Sequence, residues 1–317
     1  MAAGLVLVAT APNAVVLGVG LFVSGVCASA GAQLSTLAGE HAAPQHRGRA
    51  LGTLTAGISA GILLGRILGG TMAEQFGWRH TLLVVAAACV AVGGTALGAL
   101  PRAEVHASER YGSVLRSMPM LLRSDRCLRI AATSGALWFF AFSLVWVSVS
   151  LALSLPPLNL SPAAVGLYSL AGLTGILATR CAGTLADRYG SPRVILVGLA
   201  LAVVCAITMI FSLQLTPVLL VSLALFDAGL FATQVANQSR VPSLDPARPA
   251  RFNSTYIAVY FVGGAAGTAV GGSLVSWIGW PGAAGVAAAA ITAAALVTGL
   301  ARQDSIDWSH EPEQDVR

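Results

Sequence analysis

The 317-residue sequence predicts an all-α, polytopic membrane protein with two pseudo-symmetric helical lobes, and three observations predict it. Hydrophobic residues make up 56% of the chain and charged residues only 10%, against roughly 25% charged in a soluble domain. Apolar runs of about 20 residues, long enough to cross a hydrocarbon layer as helices, recur from end to end. Residues 44–78 also align with residues 246–280 at a constant offset of 202. Pro44 falls on Pro246, Arg49 on Arg251, Thr53 on Thr255 and Gly61 on Gly263. Then "GRILGGTMAEQFGW" (65–78) meets "GTAVGGSLVSWIGW" (267–280), pairing Gly65, Gly69, Gly70, Gly77 and Trp78 with Gly267, Gly271, Gly272, Gly279 and Trp280. The repeated unit is a basic loop, a glycine-striped apolar helix, a Gly-Trp turn and a second apolar helix. Parallel repeats of this kind build two-lobed transport proteins.

In chain order, full spans are expected near 14–39, 50–73, 80–100, 130–155, 163–185, 193–213, 216–238, 253–276 and 283–301. A stub at 2–11, closed by Pro12 and Asn13, is too short to cross. The chain therefore divides into a first lobe (1–100, a stub plus three spans), a polar arginine-rich inter-lobe loop (101–129), a six-helix second lobe (130–301) and a polar tail (302–317). Subtracting 202 from the second lobe places the counterparts of residues 130–202 before Met1. The first lobe is thus expected to lack two and a half helices, as a truncated or shortened version of a longer protein would.

The charges orient the spans. All 18 basic residues are arginine, and 15 lie in alternate loops or the tail: Arg47 and Arg49; Arg102 to Arg129; Arg188 and Arg193; Arg240, Arg248 and Arg251; Arg302 and Arg317. The opposite loops hold only Arg79, and Arg66 and Arg180 lie within spans. By the positive-inside rule the arginine-bearing side, with loop 101–129 and the C-terminus, faces the cytoplasm of a bacterial inner membrane. Arginines sorted this way do not suggest nucleic acid, despite the net charge of +5. The five cysteines are scattered and read as small packing residues, not disulfides or metal ligands. The start is apolar without a basic n-region, so no secretory signal peptide is expected.

Two motifs carry a family resemblance. The stretch "GTLADRYGSPR" (183–193), at the arginine-rich end of a span, resembles the loop signature of the major facilitator superfamily, matching at Gly183, Asp187, Arg188, Gly190 and Arg193. The resemblance implies a cytoplasmic latch between lobes. The residues also make local sense, since a Gly190-Ser191-Pro192 turn needs glycine's freedom and starts a helix with proline. "GILLGRILGG" (61–70) resembles the antiporter motif of the drug–proton antiporter branch, with Arg66 in place of its proline, and points towards arabinose-efflux-like permeases. What this implies is the major facilitator fold and secondary active transport, with proton-coupled export of a small molecule by alternating access. The alternatives are a transport-inactive fragment or a membrane sensor paralogue. The partners implied are the lipid bilayer, a small-molecule substrate and protons, with the protein monomeric.

Candidate functional residues follow from polarity inside apolar spans. Asp227 lies mid-span, where a charge costs about 2.5–3.5 kcal/mol or more, and is either a neutral packing group or a carrier of protons or substrate. Gln234 and Asn237 follow on the same helix and are expected to line a cavity, with Gln33 in the first lobe as their weaker counterpart. Arg66 either snorkels outward or meets an anionic group. Gly57, Gly61, Gly65 and Gly69, and in the second lobe Gly263, Gly267 and Gly271, recur at four-residue spacing and read as close-packing stripes. Trp138, Phe142 and Trp146 form a helical stripe that suits either packing or stacking on a ring-shaped substrate. No nucleotide-binding loop, nucleophile elbow or HExxH sequence occurs, so neither an enzyme nor ATP-driven transport is expected, and no cofactor or metal.

Overall fold

A computed structural model describes residues 1–28, 47–99, 111–245 and 248–307. Its elements are helices α1 (Ala2–Ala9), α2 (Ala14–Ala28), α3 (Arg47–Phe76), α4 (Trp78–Ala99), α5 (Tyr111–Ser124), α6 (Arg126–Ser154), α7 (Pro162–Leu167), α8 (Leu173–Tyr189), α9 (Ser191–Phe211), α10 (Thr216–Arg240) and α11 (Pro249–Asp307). Short 3-10 turns cover Tyr168–Gly172 and Val241–Leu244. Among the described residues six helical stretches are long and apolar enough to cross a membrane, and one of them, Arg251–Leu300, is 50 residues long. That stretch bends at Gly279, where φ 71° and ψ 178° leave the helical region. Gly77, its partner at the 202-residue offset, takes φ 79° between α3 and α4. The glycine of the Gly-Trp turn thus takes a positive φ in both copies, a conformation that a Cβ would strain.

The chain forms two compact units, residues 1–106 with 160–170, and residues 107–159 with 171–317. In the first, α1 crosses α2 where Gly4 and Gly20 carry no side chain. A Cβ on either would lie 2.9 Å from a backbone nitrogen of the other helix. The short α7 packs on α3, although its sequence position places it in the second lobe. Two small residues permit this: a Cβ on Gly70 would stand 2.5 Å from the Pro162 carbonyl oxygen, and one on Gly166 2.9 Å from that of Arg66. Ser161 caps α7 by accepting from the Ala164 amide at 3.3 Å, and Glu74 of α3 accepts from the Ala163 amide at 3.0 Å. Acceptors at a helix start satisfy its free N–H groups and suit its dipole.

In the second unit α6 and the first half of α11 lie backbone to backbone. Cβ atoms on Gly263 and Gly267 would collide with the carbonyl oxygens of Ala136 and Phe140, and one on Gly271 would lie 3.1 Å from the Val147 Cβ. Glycine at every fourth position of α11 therefore receives a ridge of α6 at the same spacing, as expected of a small-residue stripe. Ser148 donates to the Gly271 carbonyl at 3.0 Å. Helices α9 and α10 cross similarly at Gly198 and Gly229, a contact the sequence reading did not single out. Trp280 is buried and donates its indole N–H to the Met209 carbonyl at 2.7 Å.

The α3 stripe behaves differently from expectation. Among the described residues, a Cβ on Gly57, Gly61, Gly65 or Gly69 would meet nothing within 4 Å, and the first three are exposed. The close approach to α3 comes one residue over, at Gly70. Two further expectations change. The inter-lobe stretch read as a loop contains the amphipathic α5, whose Leu121 packs with Leu128, Phe252 and Tyr256. The span expected at 163–185 is broken into α7, a 3-10 turn and α8.

Candidate functional site

The second unit builds its polar centre around Asp227. Helix α10 starts with Pro217 in its first turn, where a missing N–H costs nothing, and carries Asp227 at about its middle. The carboxylate is 1% exposed, and its Oδ1 accepts from the Trp146 indole N–H of α6 at 3.2 Å. On its other side the chain has just left the 3-10 turn Tyr168–Gly172. A Cβ on Gly172 would lie 3.2 Å from Asp227 Oδ2, so glycine is what lets the broken helix come this close to the acid. One turn away, the Thr174 hydroxyl bonds the Ala171 carbonyl at 2.8 Å and also reaches the Ala224 carbonyl, tying the start of α8 to α10. The site is therefore an acid at a helix discontinuity, held by an indole from a third helix.

An aromatic seam leads away from it. Trp146 contacts Phe142 edge-on at 6.5 Å, and Phe142 meets Phe231 of α10 at 5.7 Å and stacks near Phe139 at 5.9 Å. Phe139 stacks flat on Tyr260 of α11, 4.0 Å apart and 8° from parallel, and Tyr260 leans on Tyr256 and Trp138. Tyr256 ends the seam by donating to Gln234 Oε1 at 3.0 Å. Gln234 is seven residues past Asp227, about 10 Å along the helix axis. Two polar points on α10 are thus joined by rings from three helices, in the offset and edge-to-face contacts that aromatic quadrupoles prefer.

The other predicted residues fall as follows. Asn237 does not line an open cavity. It is 2% exposed, enclosed by its own bundle, and its Nδ2 has no partner. Gln234 is likewise engaged rather than free, because α11 lays Tyr256 against it. Arg66 sits half-buried on α3 of the first unit. Gln33 lies outside the described residues. In the 183–193 stretch, Gly190 takes φ 85°, the left-handed turn its sequence demanded, and α9 follows with Pro192 in its first turn. Arg193 donates to the Tyr189 carbonyl at 3.3 Å, and the Arg188 guanidinium lies 5.3 Å from the Tyr189 ring centre. Asp187 is exposed and makes no ion pair among the described residues, and a Cβ on Gly183 would meet nothing within 4 Å. Sequence reasoning missed Gly172, Thr174 and Tyr256, and noted Trp146 only as part of a stripe. Helical spacing reveals a face but not which helix it meets.

Comparison with known proteins agrees with this architecture. The profile of the Major Facilitator Superfamily matches residues 1–250. The uncharacterized transporter YgaY of Escherichia coli O157:H7 is 30% identical over 307 residues, covering 96% of this chain and 78% of that protein. The probable transporter SCO4007 of Streptomyces coelicolor is 32% identical over 260 residues, 81% of this chain and 60% of that one. Among solved structures, the fucose:proton symporter of E. coli shares the fold with a TM-score of 0.60 at 16% identity, over 94% of this chain and 82% of that one. These relatives are membrane transporters and not enzymes. With more than three quarters of its length matched by the family profile, the chain belongs to the Major Facilitator Superfamily.

Proposed function

We propose that the chain belongs to a secondary transporter that exports a small molecule in exchange for protons by alternating access, with Asp227 carrying the proton. The observation behind this reading is a carboxylate, 1% exposed, placed mid-span against a broken helix and an indole donor. Ionised, it accepts a charge-assisted bond from Trp146, and such bonds are roughly twice as strong as neutral ones. Protonated, it loses that advantage and the desolvation penalty of its charge together. Proton arrival therefore loosens the tie between α6 and α10 beside the 3-10 turn, the segment best able to change its backbone. The half-buried Phe139, Phe142, Phe231 and Tyr260 between Asp227 and Gln234 offer stacking surface for a flat or apolar substrate. Arg66 is the candidate for an anionic substrate group, and the 183–193 turn for a cytoplasmic latch, a reading supported by the excess of arginine in the loops on its side of the spans.

The test is transport in proteoliposomes under an imposed pH gradient, with Asp227→Asn made in the longer transporter that carries the further helix proposed below, beside that transporter unaltered. Loss of pH-driven flux with retained membrane insertion is expected. Unchanged proton-coupled flux would remove Asp227 from the mechanism.

One observation favours a second element of the reading. Among the described residues a Cβ on the Gly57–Gly69 stripe of α3 would meet no neighbour, whereas its copy in α11 is filled by α6. We propose that the working transporter has a further helix on this stripe, with a ridge like that of Ala136 and Phe140, and that the 317 residues alone are transport-inactive. Flux from the chain alone equal to that of a version extended by such a helix would end that proposal.

A further inference from the structure

Helices α8, α9 and α10 enclose a groove of about 420 Å³ on the second unit. Leu185, Val194, Val197, Leu201, Ala228 and Ala232 line it, and Tyr189 and Arg193 stand at one end. The groove exists because Gly198 and Gly229 bring α9 and α10 together backbone to backbone, and neither supplies a side chain to fill the flank of the crossing. Its rim faces outward: Val197 is 69% exposed, and Leu185 and Tyr189 are more than two-fifths exposed. On a helix bundle that spans a bilayer, such a face meets acyl chains rather than water.

The end of the groove differs chemically from its walls. Arg188, in the last turn of α8, and Arg193, in the first turn of α9, stand at this end, both exposed. Each has one local contact, Arg188 with the Tyr189 ring and Arg193 with the Tyr189 carbonyl, which leaves further guanidinium N–H groups pointing to the surroundings. The N-terminus of α9 adds its partial positive charge at the same place. An apolar slot capped by two arginines and a helix start, at the boundary where a span ends, matches one molecule in both parts.

We propose that this groove binds an anionic phospholipid, with one acyl chain along α8, α9 and α10 and the headgroup phosphate at Arg188 and Arg193. A zwitterionic lipid of the same chain length fills the slot but gains less from the arginines, each worth about 1 kcal/mol towards an anionic headgroup. Inorganic phosphate has the charge and no tail. Ala228 and Gly229 directly follow Asp227, so the bound chain lies against the helix face adjoining the buried acid and stiffens the α9–α10 crossing beside it. This proposal needs only the membrane-spanning fold, not the proton-carrying role of Asp227.

The experiment uses the full chain, purified and delipidated in a neutral maltoside detergent. Phosphatidylglycerol, phosphatidylcholine with identical acyl chains, and inorganic phosphate are added separately, and retention is read by native mass spectrometry beside the thermal midpoint. Phosphatidylglycerol is expected to be retained and to raise the midpoint, with phosphatidylcholine weaker and phosphate inert. The double substitution Arg188→Gln/Arg193→Gln should lower phosphatidylglycerol retention about thirtyfold, the loss of both arginine contributions. Ala232→Phe should abolish retention by filling the slot. Val197→Trp at the exposed rim should do the same without burdening the core, and serves if the first variant does not fold. Equal retention of both lipids, undiminished retention by the filled groove, or an equal effect of free phosphate would each overturn the proposal.

Discussion

The repeat allows one substitution to be made at equivalent positions with opposite expected signs. Gly267 and Gly65 correspond at the 202-residue offset. At Gly267 a methyl group would collide with the Phe140 carbonyl oxygen, with its carbonyl carbon at 2.9 Å and its Cα at 3.0 Å. All three are backbone atoms, so no rotamer change relieves the clash and α6 must move away from α11. Overpacking of this kind costs about 1–3 kcal/mol, and at a backbone the upper end applies. Alanine's better helix propensity returns about 1 kcal/mol. The net for Gly267→Ala is a loss of about 2 kcal/mol. At Gly65 the methyl meets nothing within 4 Å, leaving only the gain of about 1 kcal/mol. With about 2–4 °C per kcal/mol for a chain of this size, Gly267→Ala should lower the thermal midpoint by about 4–8 °C and Gly65→Ala should raise it by a few degrees. The assay is thermal unfolding of both variants in one detergent, followed by tryptophan fluorescence. Equal destabilisation by the two would refute the reasoning, because it would mean the α3 stripe is as crowded as its copy in this chain.

Trp280→Phe removes the indole bond to the Met209 carbonyl at a buried site and should cost about 1–3 kcal/mol in the same unfolding assay. Its repeat partner Trp78 is 44% exposed, so Trp78→Phe should fall within about 0.5 kcal/mol of the parent. Trp146→Phe leaves Asp227 without its indole donor and should shift the pH dependence of transport, while Phe142→Leu, which touches the ring but not the acid, should leave that dependence in place. The flux assay over a pH series, run on both variants in the transporter that carries the further helix on α3, separates them.

Much of the architecture is legible in the sequence because membrane physics leaves few options. Apolar runs must be helices, and the repeat at offset 202 marks Gly77 and Gly279 as one turn used twice, with the positive φ that only glycine takes freely. The stripe at Gly263, Gly267 and Gly271 is legible for the same reason, since four-residue spacing of small residues exposes backbone along a line. What the sequence withholds is the identity of partners. The α3 stripe has the same spacing and meets no neighbour among the described residues, because spacing describes one helix and packing needs two. The break at Tyr168–Gly172 was not legible in a run whose hydropathy is continuous. Nor was the burial of Asn237, which depends on the bundle around α10 rather than on α10. Asp227 could be named from its cost in an apolar span, but its tie to Trp146, 81 residues away in the chain, comes only from the fold.

The left-handed glycine in α11 has a mechanical corollary. A straight helix of nearly sixty residues would act as one stiff rod, and a tilt at one end would be carried to the other. With Gly279 outside the helical region and Pro281 starting a fresh first turn, the two halves have separate axes. The half that lies against α6 can therefore lean without levering the half beyond the elbow, and Gly77 gives α3 and α4 the same independence. A single interrupted hairpin design, used twice, supplies each unit with rods that share covalent continuity but not rigidity.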